Sequence, residues 1–137
     1  TNISTTEFNA KNDNFDKSSR EKIGIQKAKI ALELNKQGKI VLVSGIAHKK
    51  KWRDDIRVML DNYYEIFLNC SVKECSRRDY KGNYQKALSG ELDNFIGISE
   101  PYEVSDSFDL VVDSGICSIE DCSKKILASV LGFIKKD

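Results

Sequence analysis

The sequence predicts an α/β fold in which helices alternate with the strands of a mostly parallel sheet. Three short runs, at residues 40–43, 64–68 and 108–112, are predicted to be strands, and the first of them lacks the polar alternation of a half-exposed strand. Such runs are typical of parallel strands that are buried on both faces. Between and around them lie stretches in which apolar residues recur every three or four positions, as in amphipathic helices. This order of elements is typical of βαβ units.

Size and charge limit the function. A chain of 137 residues is expected to form one domain with a single core. The 22 Lys and Arg residues balance 21 Asp and Glu residues, and a net charge of +1 does not favour binding to nucleic acid or to a membrane surface. No apolar run approaches the length of a membrane span, and no signal peptide opens the chain. We therefore expect a cytoplasmic location.

The first third of the chain contains one predicted helix and one predicted strand. Residues 1–18 are polar and are expected to be a loop or arm. Residues 19–37 should form a helix that Gly38 terminates. The apolar stripe of this helix consists of Ile23, Ala28, Ile30, Ala31 and Leu34. The strand at 40–43 is then followed by a loop at the carboxyl edge of the sheet, where open α/β folds bind ligands.

The remaining elements show recognisable start signals. Residues 52–60 have the spacing of a short crossover helix. Ser71 precedes Glu74 by three positions, which is a capping box and predicts a helix from Val72. Ser118 is expected to cap the last helix, with Asp121 three positions later. The predicted buried stripe of that helix consists of Ile119, Cys122, Ile126, Val130 and Ile134.

The four cysteines form two pairs, Cys70 with Cys75 and Cys117 with Cys122, and four residues separate the members of each pair. This spacing does not favour a zinc site, and the lone His48 is not close to either pair in the sequence. Disulfides are not expected without a secretion signal. We expect small buried thiols and no metal ligands among the cysteines.

A segment between the second and third predicted strands combines cations, tyrosines and glycines. Its residues are Arg77, Arg78, Tyr80, Lys81, Gly82, Tyr84, Lys86 and Gly90. This composition is typical of a mobile cover that closes over phosphates, and we expect such a lid at about residues 77–98. A charge run can also be a solvated helix face.

The same segment resembles a known family. The pattern C-x-x-R-D-x-K-G-x-Y-x-K-A begins at Cys75 and is followed by G-E at Gly90, F-x-G-I at Phe95 and P-Y-E at Pro101. It is similar to the lid region of adenylylsulfate kinase, and the resemblance covers the chain from about residue 15 to the last helix. It implies a three-layer α/β sandwich of the P-loop nucleoside-kinase type with a mobile lid. It also implies phosphorylation of the 3'-hydroxyl of adenylyl sulfate, with ATP and Mg²⁺ as cofactors, and a homodimer.

The resemblance implies roles for individual residues. Arg78 and Lys81 would be catalytic, and Arg78 would contact the ATP phosphates through its planar fork of donors. Phe15 and Phe95 would hold the adenine of the acceptor between two rings. The full set of implied acceptor contacts is Phe15, Arg20, Ile46, Ala47, Lys81, Asn94 and Phe95. Cys117 and Cys122 match two positions beside the ATP base.

Several positions depart from the family pattern. Ile23 replaces an asparagine that helps to hold the substrate, and Gly45, Ala47 and His48 replace phenylalanine, serine and proline in an S-F-I-S-P loop. The acceptor is therefore left open between adenylyl sulfate and another nucleotide such as cytidine diphosphoramidate. None of the eight glycines lies in a G-x-x-x-x-G-K-[ST] motif, which would cradle the ATP phosphates. We expect the chain to be the C-terminal three quarters of a kinase domain; a catalytically inactive nucleotide-binding module is the alternative.

Overall fold

The computed structural model describes residues 17–134, with side chains from residue 20 onward. These residues belong to two units, which meet along the chain between Ala47 and His48. The first unit contains helix α1 (Lys17–Lys36). The second contains α2 (Lys50–Met59), β1 (Ile66–Asn69), α3 (Val72–Arg77), α4 (Asn83–Leu88), β2 (Leu110–Asp113) and α5 (Ile119–Ile134).

The two strands of the second unit form a parallel pair. Ile66 lies opposite Leu110, and Asn69 lies opposite Asp113. Val112 of β2 is almost completely buried, with 1% of its surface exposed. Parallel strands separated by helices confirm the predicted α/β class, and the segment predicted to be a lid occupies the connection between β1 and β2.

The predicted strand at residues 40–43 is wrong for the described part of the chain. These residues are irregular, and Ile40 and Leu42 are 77% and 89% exposed. A strand needs a neighbour with which its N–H and C=O groups can pair. No residue between 17 and 134 forms a ladder with this run. The apolar pattern indicated burial but carried no information about a partner.

The predicted helix boundaries are largely confirmed because they depend on local chemistry. Gly38 adopts a left-handed conformation with φ 74°, and its N–H donates to the Asn35 carbonyl at 2.8 Å, which closes α1. The Ser71 hydroxyl accepts the Glu74 N–H at 3.2 Å, and α3 begins at Val72. In α5 the Ser118 hydroxyl accepts the Asp121 N–H at 3.1 Å.

The buried stripe predicted for α5 is only partly correct. Cys122 is buried and Ile126 and Val130 are half-buried, but Ile119 is exposed and Ile134 lies at the boundary of exposure. Ile119 is the first residue of the helix, so its side chain points past the packed surface. Within residues 17–134, no helix combines the length and the apolar character needed to cross a membrane.

Buried charges attach α2 to the sheet. The Arg53 side chain is 4% exposed, and its Nε lies 3.0 Å from Glu65 Oε1 just before β1. The Arg53 guanidinium also lies over the rings of Tyr102 and Phe108, at 5.1 and 5.3 Å from their centroids. Phe67 of β1 stacks against both rings. This packing fixes the start of β1 and thereby the direction in which the chain enters α3.

Candidate functional site

A cavity of about 270 Å³ opens within the segment that was predicted to be a lid. Seven of its eight lining residues come from α3, the turn that follows it and the start of α4, and the eighth comes from the stretch that follows α4. The lining residues are Cys75, Arg78, Asp79, Tyr80, Lys81, Asn83, Tyr84 and Phe95. The cavity therefore combines two cations with three aromatic rings.

A tight turn before α4 places Lys81 at the cavity. Gly82 has φ 68°, in the left-handed region that favours glycine, and its N–H donates to the Asp79 carbonyl at 3.1 Å. The Asp79 carboxylate accepts the Gln85 N–H at 3.1 Å and so satisfies a donor in the first turn of α4. The exposed ammonium group of Lys81 lies 5.5 Å from the centroid of the Tyr80 ring.

Two half-buried aromatic rings form the apolar wall of the cavity. Tyr84 and Phe95 meet edge to face, with 4.8 Å between their centroids. Burial, and next a hydrogen bond with Cys75, raises the pKa of Tyr84 to about 12. The Tyr84 hydroxyl is therefore protonated at neutral pH. An apolar wall of aromatic rings beside cations suits a ligand that has both an aromatic base and phosphates.

The backbone around Phe95 is tightly closed. The N–H groups of Ile98, Ser99 and Glu100 each point to the Phe95 carbonyl at 3.1 Å. The Phe95 N–H donates to the Ser99 hydroxyl at 2.9 Å. We call residues 95–100 the Phe95 loop. The first and last residues of this loop are hydrogen-bonded to each other. The position of the Phe95 main chain therefore depends on the position of Glu100.

Arg78 connects the cavity to the turn after β2. Its Nε donates to the Glu74 carboxylate at 2.6 Å, and its terminal nitrogens donate to the carbonyls of Ser114 and Gly115 at 3.0 and 3.2 Å. Hydrogen bonds from Arg77 and then from Arg78 lower the pKa of Glu74 to about 2. Arg78 thus lines the cavity with a guanidinium group whose orientation is fixed by three acceptors.

The described residues do not form a cage for a metal ion. Between residues 17 and 134, no three His, Cys, Asp or Glu side chains are grouped so that they could hold one. Magnesium in phosphoryl-transfer sites is usually bound by one or two carboxylates together with substrate phosphates and water.

Comparison with known proteins decides the family. The model of the adenylylsulphate kinase family matches residues 6–113, which is more than half of the chain. The chain belongs to this family. An adenylyl-sulfate kinase of a Picosynechococcus strain is 35% identical over 103 residues, covering 74% of this chain and 58% of the relative. A cytidine diphosphoramidate kinase of Campylobacter jejuni is 37% identical over 100 residues, covering 73% of this chain and 58% of the relative.

A solved structure of the family agrees with the fold. The APS kinase of Mycobacterium tuberculosis, in complex with AMPPNP and APS, matches with a TM-score of 0.79 and 28% identity, covering 85% of this chain and 69% of that one. This likeness confirms the P-loop kinase type of α/β fold that the lid motif implied. The chain spans less than two thirds of the length of the two kinases compared by sequence.

The structure brings three of the family's implied residues together. Arg78, Lys81 and Phe95 line one cavity. Asn94 adjoins Phe95 and has φ 55°, but it does not line the cavity. Phe15 lies outside the described residues.

The other implied residues lie elsewhere. Arg20 is half-buried in α1 of the first unit, where Ile46 is exposed and Ala47 has a positive φ of 40°. Cys117 is half-buried in the turn after β2, where Lys125 Nζ lies 3.7 Å from its sulfur. Cys122 is buried in α5. The two cysteines do not line the cavity beneath the lid segment.

Sequence reasoning missed the ion pairs of two carboxylates near the cavity, Glu74 and Glu100. Glu74 was recognised only as part of a capping box, although its spacing from Arg78 is that of a helical ion pair. Glu100 gave no local signal, because its partner Lys49 is distant in the sequence. A buried ion pair between remote segments becomes visible only when the fold brings the two residues together.

Proposed function

We propose that the protein containing this chain transfers the γ-phosphoryl group of ATP to the 3'-hydroxyl of a nucleoside 5'-phosphate derivative, with adenylyl sulfate as the first candidate. The observation that carries the proposal is the cavity in which Arg78, Lys81 and Phe95 converge, in a chain of the adenylylsulphate kinase family. The APS kinase of Mycobacterium tuberculosis, which was solved with AMPPNP and APS, supports the choice of both substrates.

In this proposal the lid residues bind the substrates and place positive charge beside the phosphates. Phosphoryl transfer develops negative charge on the equatorial oxygens and requires in-line substrates from which water is excluded. Lys81 offers a mobile point charge to the acceptor, while the fixed guanidinium of Arg78 offers N–H donors toward the transferred phosphate. Phe95 packs against the base of the acceptor, and the lid segment at residues 77–98 closes over the acceptor.

The remaining residues are assigned more distant parts of the same substrates. Phe15 supplies the second ring of the base sandwich. Arg20, near the start of α1, binds the phosphosulfate or pyrophosphate group with help from the helix N-terminus. The resemblance assigns acceptor contacts to Ile46, Ala47 and Asn94, and contacts with the ATP base to Cys117 and Cys122. Magnesium bound with ATP would neutralise charge on its phosphates.

A second acceptor, cytidine diphosphoramidate, is favoured by a specific comparison. The Campylobacter jejuni kinase that is named for this acceptor is 37% identical, as similar to this chain as the adenylyl-sulfate kinases are. The loop residues Gly45, Ala47 and His48 depart from the pattern of the adenylyl sulfate enzymes. A smaller base and a different 5' substituent would then occupy the same cavity.

Turnover with both acceptors tests the proposal. The full-length protein is incubated with ATP, Mg²⁺ and either adenylyl sulfate or cytidine diphosphoramidate, and the 3'-phosphorylated product is measured. We expect one acceptor to have a kcat/KM at least tenfold above the other. If neither is phosphorylated although nucleotide binds, the protein is an inactive nucleotide-binding module and the kinase proposal is wrong.

Three further features stay predictions of the sequence. They are the single-domain organisation over residues 1–137, the homodimer and the cytoplasmic location. Sedimentation equilibrium of the full-length protein checks the dimer.

The predicted lid is tested separately. Limited proteolysis checks whether residues 77–98 open in the absence of nucleotide. We expect ATP with the acceptor to protect that segment, because closure buries its backbone.

A further inference from the structure

A cluster of charges lies where the chain from His48 meets the stretch that follows the lid segment. Lys49 Nζ lies 2.9 Å from Glu100 Oε1 and 3.1 Å from Glu103 Oε1. The Glu100 side chain is 10% exposed, and the almost fully buried His48 places Nε2 3.7 Å from the same Glu100 oxygen. We call His48, Lys49, Glu100 and Glu103 the carboxylate clamp. A buried carboxylate is stable only with such partners.

Main-chain hydrogen bonds reinforce the carboxylate clamp. The Glu103 N–H donates to the His48 carbonyl at 2.9 Å. The Glu103 carboxylate in turn accepts the Lys50 N–H at 2.9 Å, at the first residue of α2. Lys49, in the N-cap position of α2, provides no side-chain cap, so Glu103 takes over that role. The stretch after the lid segment is thus fixed to the start of a helix.

The clamp reaches the cavity through the Phe95 loop. Glu100 is both the clamped residue and the last residue of this loop, and its N–H points to the Phe95 carbonyl at 3.1 Å. The Gly97 N–H donates to the Glu100 carbonyl at 2.7 Å, which closes the loop a second time. Hence a shift of Glu100 is transmitted to Phe95, whose ring lines the cavity.

We propose that Glu100, paired with Lys49, is a positioning residue that fixes the Phe95 ring for the base of the acceptor nucleotide. The inference rests on the proposed function, since it concerns the same cavity. It assigns to Glu100 an effect on acceptor binding and not on ATP binding, because the Phe95 loop carries one of the two rings of the apolar wall and none of the cavity's cations. The alternative is that the ion pair only stabilises the fold.

Two buried glutamates make a matched comparison. Glu100 and Glu65 are 8% and 7% exposed, and each is paired with a cation. Glu65, however, pairs with Arg53 and Arg57 of α2 and has no hydrogen bond to the Phe95 loop. Glu65→Gln therefore measures the effect of losing a buried carboxylate that is not bonded to this loop.

Steady-state kinetics of the full-length protein tests the inference. We expect Glu100→Gln to raise the acceptor KM on the order of tenfold, equivalent to about 1.4 kcal/mol, with the ATP KM within about twofold of wild type. Glu100→Asp keeps the charge and should recover most of the acceptor KM. Glu65→Gln should lower the melting temperature and leave both KM values near wild type. Equal acceptor KM values in Glu100→Gln and wild type would overturn the inference.

Hydrogen exchange separates this inference from the proposed function. If the wild-type protein phosphorylates neither acceptor, the proposed function fails, but the mechanical link can still be measured. We expect the amides of Ile98, Ser99 and Glu100 to exchange at least tenfold faster in Glu100→Gln than in Glu65→Gln at equal distance from the melting temperature. Unchanged exchange in Glu100→Gln would show that the clamp does not hold the Phe95 loop.

Discussion

Ion pairs of two buried glutamates connect segments of this chain that are distant in the sequence. Two glutamates within the described side chains are buried, Glu65 and Glu100, and the structure gives each a cationic partner. The pair of Glu65 with Arg53 joins α2 to β1, whereas Glu100 joins the chain after the lid segment to Lys49. Removing one partner of such a pair costs more than the pair itself contributes, because the other charge is left buried and uncompensated.

The first residue-scale prediction concerns Glu65. Glu65→Gln should lower the free energy of unfolding by about 3 kcal/mol, because the buried Arg53 loses the negative charge that lies 3.0 Å from its Nε. Urea unfolding of the full-length protein provides the measurement. Glu33→Gln is the control, since its ion pair with Lys36 is exposed and should change stability by less than about 0.5 kcal/mol. Similar effects of the two substitutions would contradict the buried-pair account.

A second residue-scale prediction follows from the low pKa of Glu74. Hydrogen bonds from Arg77 and Arg78 hold this pKa at about 2, below its ordinary value of 4.5. The resulting stabilisation is complete above the unfolded-state pKa and is lost as the pH falls from there toward 2. The urea midpoint of Glu74→Gln should therefore lie below that of wild type at pH 7, and the gap should narrow below pH 4. A gap that stays constant down to pH 2.5 would exclude this linkage.

At the scale of elements, the Phe95 loop is the part of the site most sensitive to backbone changes. Gly97 has φ 93°, and a Cβ at this position would lie 3.1 Å from Val72 Cγ2 at the start of α3. A side chain here would meet both backbone strain and a steric clash. The loop would move away from α3 or the helix would shift.

This geometry gives a glycine prediction with an internal control. Gly97→Ala should reduce stability by about 1–3 kcal/mol and raise the acceptor KM, because Phe95 moves with its loop. Gly132→Ala lies in the last turn of α5 with no atom near the added Cβ, so it should not lower stability. Thermal unfolding and acceptor kinetics of both variants provide the test. A Gly97→Ala protein as stable as wild type would contradict the described backbone.

Element prediction from the sequence succeeded where the signal was local. The Ser71 and Ser118 caps and the Gly38 stop were predicted correctly because each depends on residues within one helical turn. The strand at 40–43 was predicted wrongly because a strand also requires a hydrogen-bonded partner. Ile119 was placed in the buried stripe of α5 because periodicity does not show where packing begins.

For the whole molecule, the sequence predicted the residues that line the cavity better than the ion pairs of the carboxylate clamp. The motif from Cys75 to Ala87 identified the segment that carries Arg78 and Lys81, and Phe95 was expected beside them. The carboxylate clamp was not predicted, since Lys49 and Glu103 lie 54 positions apart. Long-range pairs depend on the path of the chain between them, and periodicity and spacing contain no information about that path.

The measurement that tests the central claim most directly is the rate of γ-phosphoryl transfer by wild type and Lys81→Met full-length protein. If the cavity beneath the lid segment holds the acceptor, loss of the Lys81 charge should lower the acceptor kcat/KM on the order of 100-fold, as removal of one positioned charge-stabilising donor does. Lys124→Met, at an exposed ion pair on α5, should keep the wild-type rate. Wild-type transfer by Lys81→Met would contradict the account, as would the absence of transfer by the unsubstituted protein.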